Sequence, residues 1–411
     1  MKLLKIRLHW QILIALVLAV PFGYFLPQGI PYVGWMGDIF LRALKMVIIP
    51  LILSSIISGV TSMGEGKDLG RLSVKTLLYY LSTSTLAILT GLLIVNLVKP
   101  GVGVEMGFTK SVEGLSESAG SVKDILYRLV PDNVVDAMAQ GTILSVIFFA
   151  ILFGYFITRV EAQYRDPLKN FFDAVFEVMM KLTLFIIRFT PFGIFGIVAR
   201  EVAHNADQLA NIAGSLAIYS LCVVSGLLIH AFITLPLIVR FIGKAQPFKH
   251  FSNMLTPLLT AFSTSSSSAT LPLTMDALEH KSGVSNKITS FTLPLGATIN
   301  MDGTALYECV AAMFIAQVYG VELSFAQQAL VVVTALLASI GAAGIPMAGL
   351  VMITVVLTAV GLPLEGIGLI LAVDRILDML RTSVNVWSDS CGAVTVARSE
   401  NEETNVALTK A

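Results

Sequence analysis

Charge is what this chain lacks: only 13% of its 411 residues are Asp, Glu, Lys or Arg, against about 25% in a soluble globular domain. That shortage excludes a molecule solvated over its whole surface. The charge present is balanced, 27 basic against 27 acidic residues, so there is no basic footprint for nucleic acid. Cysteine is scarce too. Cys222, Cys309 and Cys391 are odd in number, far apart and set in or beside apolar stretches, which argues for buried thiols and against a disulfide framework or metal cluster. The histidines, at 9, 204, 230, 250 and 280, show no metal-ligand spacing.

What is abundant is hydrophobic sequence, 55% of the chain. Apolar runs at 10–27, 43–60, 76–98, 142–158, 182–199, 212–240 and 345–362 have the length a helix needs to cross a bilayer core, roughly 17–25 residues. The pattern predicts an all-α polytopic membrane protein. Lys2, Lys5 and Arg7 precede the first run, but no small-residue cleavage site follows, so this segment is read as a retained first helix.

Basic residues between spans mark the cytoplasmic side. The clusters are Lys2/Lys5/Arg7, Lys67/Arg71/Lys75, Arg159/Arg165/Lys169, Arg240/Lys244/Lys249, Lys281/Lys287 and Arg398. Laid along the hydropathy, they give three pairs of crossings over residues 8–243 and place both termini in the cytoplasm. The Gly- and Ser-rich stretch 99–121 reads as a connection. Residues 250–280 break the pattern, being too short for the roughly 40 residues that two crossings need. Their centre, Thr264-Ser265-Ser266-Ser267-Ser268-Ala269-Thr270-Leu271-Pro272, suits the tip of a hairpin that enters from the cytoplasm and returns. A second interrupted segment, 325–362, centres on Gly341-Ala342-Ala343-Gly344-Ile345-Pro346-Met347-Ala348-Gly349 and is expected to enter from outside. Paired, oppositely oriented interruptions of this kind point to a transporter's binding site.

The last helix, expected over 364–397, carries Asp374, Asp378, Arg381, Thr382, Asn385 and Asp389. At about 100° per residue these six share one stripe roughly 100° wide. A charge at the centre of a membrane helix costs about 2.5–3.5 kcal/mol on insertion scales, and three carboxylates against one arginine in the stripe leave negative charge for bound cations to balance. The preceding span contains Gly296-Ala297-Thr298-Ile299-Asn300-Met301-Asp302-Gly303-Thr304. That composition predicts a locally unwound helix whose carbonyls, with Asn300 and Asp302, are hard oxygen ligands for an ion such as sodium. No His or Lys base neighbours the serine run on its own element, which argues against a hydrolase and against enzymatic function. Half-helix N–H groups and hydroxyls there suit an anionic ligand instead.

These residues resemble the dicarboxylate/amino acid:cation symporter family, which includes excitatory amino acid transporters. The resemblance spans the chain and is carried by Ser265–Ser268 with Thr270-Leu271-Pro272, by Asn300-Met301-Asp302-Gly303-Thr304, by the Gly341–Gly349 tip and by Asp378…Arg381-Thr382…Asn385…Asp389. It implies eight transmembrane helices plus two re-entrant hairpins in an inverted-repeat elevator transporter of the inner membrane, assembled as a homotrimer. A scaffold would comprise 1–64 and 122–204, and a transport domain 65–121 and 205–411. The substrate implied is an acidic amino acid, carried with co-transported sodium and no organic cofactor. Arg381, helped by Thr304, would take its side-chain carboxylate and Asp378 its ammonium. Thr382, Asn385 and Ser266, Ser267 and Ser268 would hold the α-carboxylate, and Ile345 to Gly349 would close as the gate. Sodium would use Tyr80, Thr83, Ser84, Asn300, Asp302, Asn385 and Asp389, with a further site around Gly296, Thr298, Met301, Ser339 and Ile340. Relatives often carry a second arginine where this chain has Ser265 or Met379, which bears on affinity and on any potassium-dependent return. Glu308 stands where animal relatives carry a glutamate and co-transport a proton. Within the apolar span an ionised glutamate is costly, which makes Glu308 the candidate proton carrier. The alternatives are a C4-dicarboxylate symporter, which Asp378 argues against, and an ion channel lined by the acidic stripe.

Overall fold

The structure is a computed structural model that describes residues 8–61, 67–103, 130–204, 209–340 and 348–408. The expected hairpin tip at 341–347, including Ile345, and most of the 99–121 connection lie outside these residues. Among the described residues the chain is helical, without a β-strand.

Helices α1 (Leu8–Phe25), α2 (Ile30–Thr61) and α3 (Lys67–Val98) are followed by the short α4 (Val134–Gln140) and by α5 (Ile143–Ile157), α6 (Ala162–Ile187) and α7 (Thr190–His204). Then come α8 (Leu209–Ile229), a π-helical turn (His230–Thr234) and α9 (Leu235–Phe241). The hairpin expected at 250–280 is α10 (Pro247–Thr264) and α11 (Ser267–Asp276), which ends in a second π-helical turn, Ala277–Ser282. The remaining elements are α12 (Asn286–Ile299), α13 (Asp302–Val318), α14 (Phe325–Ile340), α15 (Ala348–Ala359) and α16 (Ile367–Ser399).

By length and composition, 27–61, 71–98 and 211–241 can each cross a membrane, and α6 with α7 forms a fourth candidate bent by 51°. Large apolar side chains remain exposed along these helices, among them Leu93 at 61% and Leu221 at 64%. Lipid is the solvent that suits such surfaces. The chain is a multi-pass membrane protein.

The helices pack in two groups. α1 and α2 lie against α7, and α2 also meets α5 and α6. Gly37 on α2 meets Gly193 and Gly196 on α7, small residues that let two helices approach closely. The second group surrounds α16, which touches α3, α8, α9, α10, α11, α12 and α13. From Val384 to Ala397 every residue of α16 is buried. Its Trp387 donates from Nε1 to the Ala231 carbonyl (2.9 Å) in the π-helical turn, where the widened turn gives that carbonyl a partner outside its own helix.

Residues after α16 fold back as a strap. Val406 O accepts from Gln246 N (2.7 Å), Leu408 N donates to Lys244 O (3.0 Å), and Asn405 N donates to Ser282 O (2.9 Å). The strap thereby ties both ends of the α10–α11 hairpin. Ser285 donates through its hydroxyl to Glu402 (2.6 Å), and Glu400 pairs with Lys75 and Arg71 on α3. Hydrogen bonding from Lys75, with Arg71 adding to it, holds the Glu400 carboxyl below the ordinary carboxylate value. A lowered folded-state value means that this contribution is complete above the unfolded value and disappears as pH falls through the folded one. Glu400→Gln should therefore lower the thermal midpoint at neutral pH by a small amount, as expected for a solvated ion pair, and leave it unchanged in strong acid. A pH-independent difference between the two midpoints would contradict the pairing.

Candidate functional site

The site is built on a break between α12 and α13. Asn300 (φ −96°, ψ 84°) and Met301 (φ −116°, ψ 59°) leave helical space, as the run of Gly, Asn and Asp predicts. A broken helix inside apolar surroundings must find partners for its freed N–H and C=O groups. Asn385 of α16 answers one of them: its Oδ1 accepts from Gly303 N (2.8 Å), while its Nδ2 donates to the neighbouring Thr304 Oγ1 (3.1 Å).

Oxygen atoms from three elements converge at this break. Asp302 Oδ1 accepts from Ser84 Oγ (2.6 Å) and Thr83 Oγ1 (3.3 Å) on α3, and Asp302 Oδ2 accepts from Ser388 Oγ (2.6 Å) on α16. Asn300 donates through Nδ2 to Asp389 Oδ1 (2.9 Å) and to Ser388 Oγ (3.0 Å). Tyr80 donates to the Thr292 carbonyl (2.7 Å). A Cβ on Gly296 would come within 2.7 Å of the Tyr80 hydroxyl oxygen, so only glycine allows this approach. Asp302, Asp389 and Asn300 are at most 3% exposed. Asp389 has no cationic side chain within ion-pair distance among the described residues. Two buried carboxylates with amide, hydroxyl and main-chain oxygens form a hard donor set that suits a sodium-type cation and not a soft transition metal. The His230 Nε2 also lies 2.9 Å from Asp302 Oδ2, reaching in from the π-helical turn.

Eight residues before Asp389 on α16, about 12 Å along the axis, lies the second cluster. Arg381 is 1% exposed. Its Nε donates to Asp378 Oδ1 (3.0 Å) and its Nη1 to Asp374 Oδ1 (3.0 Å). The guanidinium lies over the Tyr307 ring, 4.0 Å from the centroid. Its remaining surface is covered by backbone: a Cβ on Gly349 of α15 would sit 2.9 Å from Cζ. Five N–H donors in a rigid fork are not exhausted by two carboxylates, so with the Gly349 backbone displaced the group has N–H left to donate to a ligand carboxylate. Thr382 donates to the Asp378 carbonyl (2.7 Å).

All six stripe residues of α16 are buried, as the periodicity requires, and Arg375 stands at its edge, 3.5 Å from Asp378. At the tip of the first hairpin Ser265 takes a left-handed conformation (φ 52°) and Ser266 caps α11, its hydroxyl accepting from Ala269 N (3.2 Å). Ser267 is buried and Ser268 exposed. Thr298 and Ser339 turn their hydroxyls to carbonyls of their own helices, Leu295 (3.0 Å) and Leu336 (2.8 Å). Glu308, on α13, is fully buried with neither carboxylate oxygen hydrogen-bonded. Sequence reasoning missed His230, Ser388 and Tyr307, and saw Asp374 in the stripe without giving it a partner. His230 carried a signal, a lone imidazole in the apolar run 212–240. Ser388 and Tyr307 carried none.

A family model described as the sodium:dicarboxylate symporter family matches residues 8–399. The chain is 34% identical to a "Proton/glutamate-aspartate symporter" of Escherichia coli (strain K12), covering 98% of this chain and 95% of that one. It is 39% identical to an "Excitatory amino acid transporter" of Caenorhabditis elegans, over 89% and 81% of the two chains. A "Proton/sodium-glutamate symport protein" of Bacillus caldotenax is 35% identical over 97% and 96%. With its broken helix, its oxygen cluster and its buried arginine stripe, the chain belongs to the sodium:dicarboxylate symporter family.

Proposed function

We propose that this protein is a secondary active transporter that couples uptake of acidic amino acids, glutamate or aspartate, to the entry of cations. Relatives named as glutamate and aspartate symporters, matched over nearly the whole chain, support the substrate class. One observation carries the mechanism: a buried guanidinium and a buried oxygen cluster share one helix, α16, two turns apart. Arg381 takes the substrate's side-chain carboxylate with help from Thr304. Asp378 takes the ammonium, and Thr382, Asn385 and the Ser266–Ser268 tip hold the α-carboxylate. Gly349, packed on Arg381, belongs to the gate that closes over it.

Sodium occupies the cluster of Tyr80, Thr83, Ser84, Asn300, Asp302, Asn385 and Asp389, with a further ion near Gly296, Thr298, Met301, Ser339 and Ile340. Asn385 joins the two functions, because one amide braces the broken helix beside both clusters. Protons are a second coupling ion, carried by Glu308, whose buried, unpartnered carboxyl is compensated most simply by a proton. The two packing groups support a scaffold of 1–64 and 122–204 and a moving domain of 65–121 and 205–411, in a trimer of eight-span, two-hairpin subunits. The inner membrane, with both termini cytoplasmic, is the expected location. A C4-dicarboxylate has no ammonium for Asp378 to meet, which favours the amino acid reading.

Arg381→Ala should weaken acidic amino acid uptake by about 30-fold or more, the loss that follows when one partner of a buried charge pair is removed. Aspartate transport with near-native KM would overturn the assignment. Asp389→Asn should shift the sodium dependence of uptake by at least about 10-fold; replacing sodium with choline without effect in the unmodified protein would contradict the sodium reading. For Glu308→Gln the expected outcome is loss of acceleration by an inward proton gradient with sodium-dependent binding retained. Indifference of the unmodified protein to that gradient rules out the proton role.

A further inference from the structure

Asp378 is assigned above to the substrate's ammonium, and its two oxygens are engaged differently. Oδ1 accepts from Arg381 Nε (3.0 Å), and Arg381 Nη2 lies 2.9 Å from the same oxygen. That fork fixes one edge of the carboxylate. The other oxygen, Oδ2, faces a second guanidinium, with Arg375 Nη1 3.5 Å away.

The two arginines are held to different degrees. Arg381 is buried, bonded to Asp374 as well as Asp378, and stacked on Tyr307. Arg375 is 26% exposed, and Asp378 is the one acidic side chain within ion-pair distance of it among the described residues. Its neighbour Ile376 is exposed. A charge-assisted hydrogen bond is about 2.7–2.9 Å long, so a 3.5 Å approach holds Arg375 by charge more than by a directed bond. A long, partly solvated side chain in such a contact leaves it at small cost. With Glu308 neutral, as proposed above, Asp374 and Asp378 stand against Arg375 and Arg381, and this stretch of α16 is balanced in the empty site. An ammonium approaching Asp378 meets Oδ1 in the Arg381 fork. Oδ2 is the other oxygen, and Arg375 stands there.

We propose that Arg375 is a specificity-determining residue: it occupies the ammonium's seat on Asp378 in the empty site, yields it to an acidic amino acid, and keeps it for a C4-dicarboxylate, which thereby becomes a second, weaker class of ligand. The inference rests on the amino acid reading above, in which Arg381 takes a carboxylate and Asp378 the ammonium. An amino acid exchanges one cation for another at Oδ2. A dicarboxylate brings no cation, and without Arg375 it would set two carboxylates beside an Asp378 deprived of that partner, an arrangement that like charges make costly. Discrimination is a difference between two affinities, and Arg375 narrows it by keeping Asp378 paired whichever ligand arrives.

The test measures equilibrium binding of aspartate and of succinate, which lacks only the amino group, to the purified full-length protein in sodium by titration calorimetry. The unmodified protein should bind aspartate more tightly and succinate measurably. Arg375→Gln should weaken succinate by about 10-fold more than it weakens aspartate, an effect between that of a solvated ion pair and that of a fully buried one. In an Asp378→Asn background the same substitution should lose most of its effect on succinate, because a contact disappears with its partner whereas the field of a lost charge persists. Retained aspartate binding shows that the Gln variant is folded. Where it binds neither ligand, the cycle is run with Arg375→Lys, which keeps the charge with a shorter reach and should show the same coupling at smaller size. Absence of succinate binding to the unmodified protein, equal losses for the two ligands, or a succinate loss undiminished by Asp378→Asn would overturn the proposal. Native aspartate affinity in Arg381→Ala would instead remove the reading beneath it, so the two failures are distinguishable.

Discussion

The constraint on which this structure depends is that charge placed inside an apolar span must be compensated locally. The penalty for an isolated buried ion is several kcal/mol even after relaxation, and α16 carries four charged side chains on its buried face. Arg381 is answered by Asp374 and Asp378 through direct hydrogen bonds. Asp302 is answered by three hydroxyls and an imidazole. Asp389 receives an amide from Asn300 and no positive charge among the described residues. That carboxylate, left without a positive partner, is the observation on which the proposed sodium site rests.

The rest of the second packing group follows from this requirement. The break between α12 and α13 sets Asn300 and Asp302 among the charges, and the Asn385 amide braces its α13 side through Gly303 and Thr304. The π-helical turn at His230–Thr234 serves the same centre twice. It presents His230 to Asp302 and releases the Ala231 carbonyl to Trp387 on the far face of α16. The break at Asn300–Met301 and the π-helical turn at His230–Thr234 therefore both lie where buried polar groups need partners. Coupling has a plain physical form here. Under the proposed sodium assignment, removing a cation from beside Asp389 would change the field two helical turns away at Arg381, on the same helix, and Asn385 lies between them.

Much of this was legible in the sequence because a membrane exaggerates polar signals. Asp378, Arg381, Asn385 and Asp389 stand out against an apolar background, and their spacing fixes a shared face before any packing is known. The unwound segment at Asn300-Met301 and the hairpin turn at Ser265-Ser266 were legible for the same reason, since Gly, Asn and Ser runs have few other uses at such depth. Partners arriving from other helices were not legible. Ser388 looks like any small helical residue beside Asp389, and Tyr307 looks like core; each acts through a contact with a neighbouring element that spacing along one helix cannot reveal. The hydroxyls of Thr298 and Ser339 bond to their own helices, so any ion held there meets main-chain oxygen, which no residue type advertises.

Cation-coupled uptake is the claim on which the site assignments stand, and flux through the purified protein in liposomes tests it most directly. Labelled aspartate or glutamate uptake should be measured with sodium, proton and potassium gradients imposed independently. Saturable accumulation above the outside concentration is expected when sodium is directed inward, collapsing when that gradient is removed. Flux that only runs down the amino acid's own gradient, whatever cation gradient is applied, would contradict it.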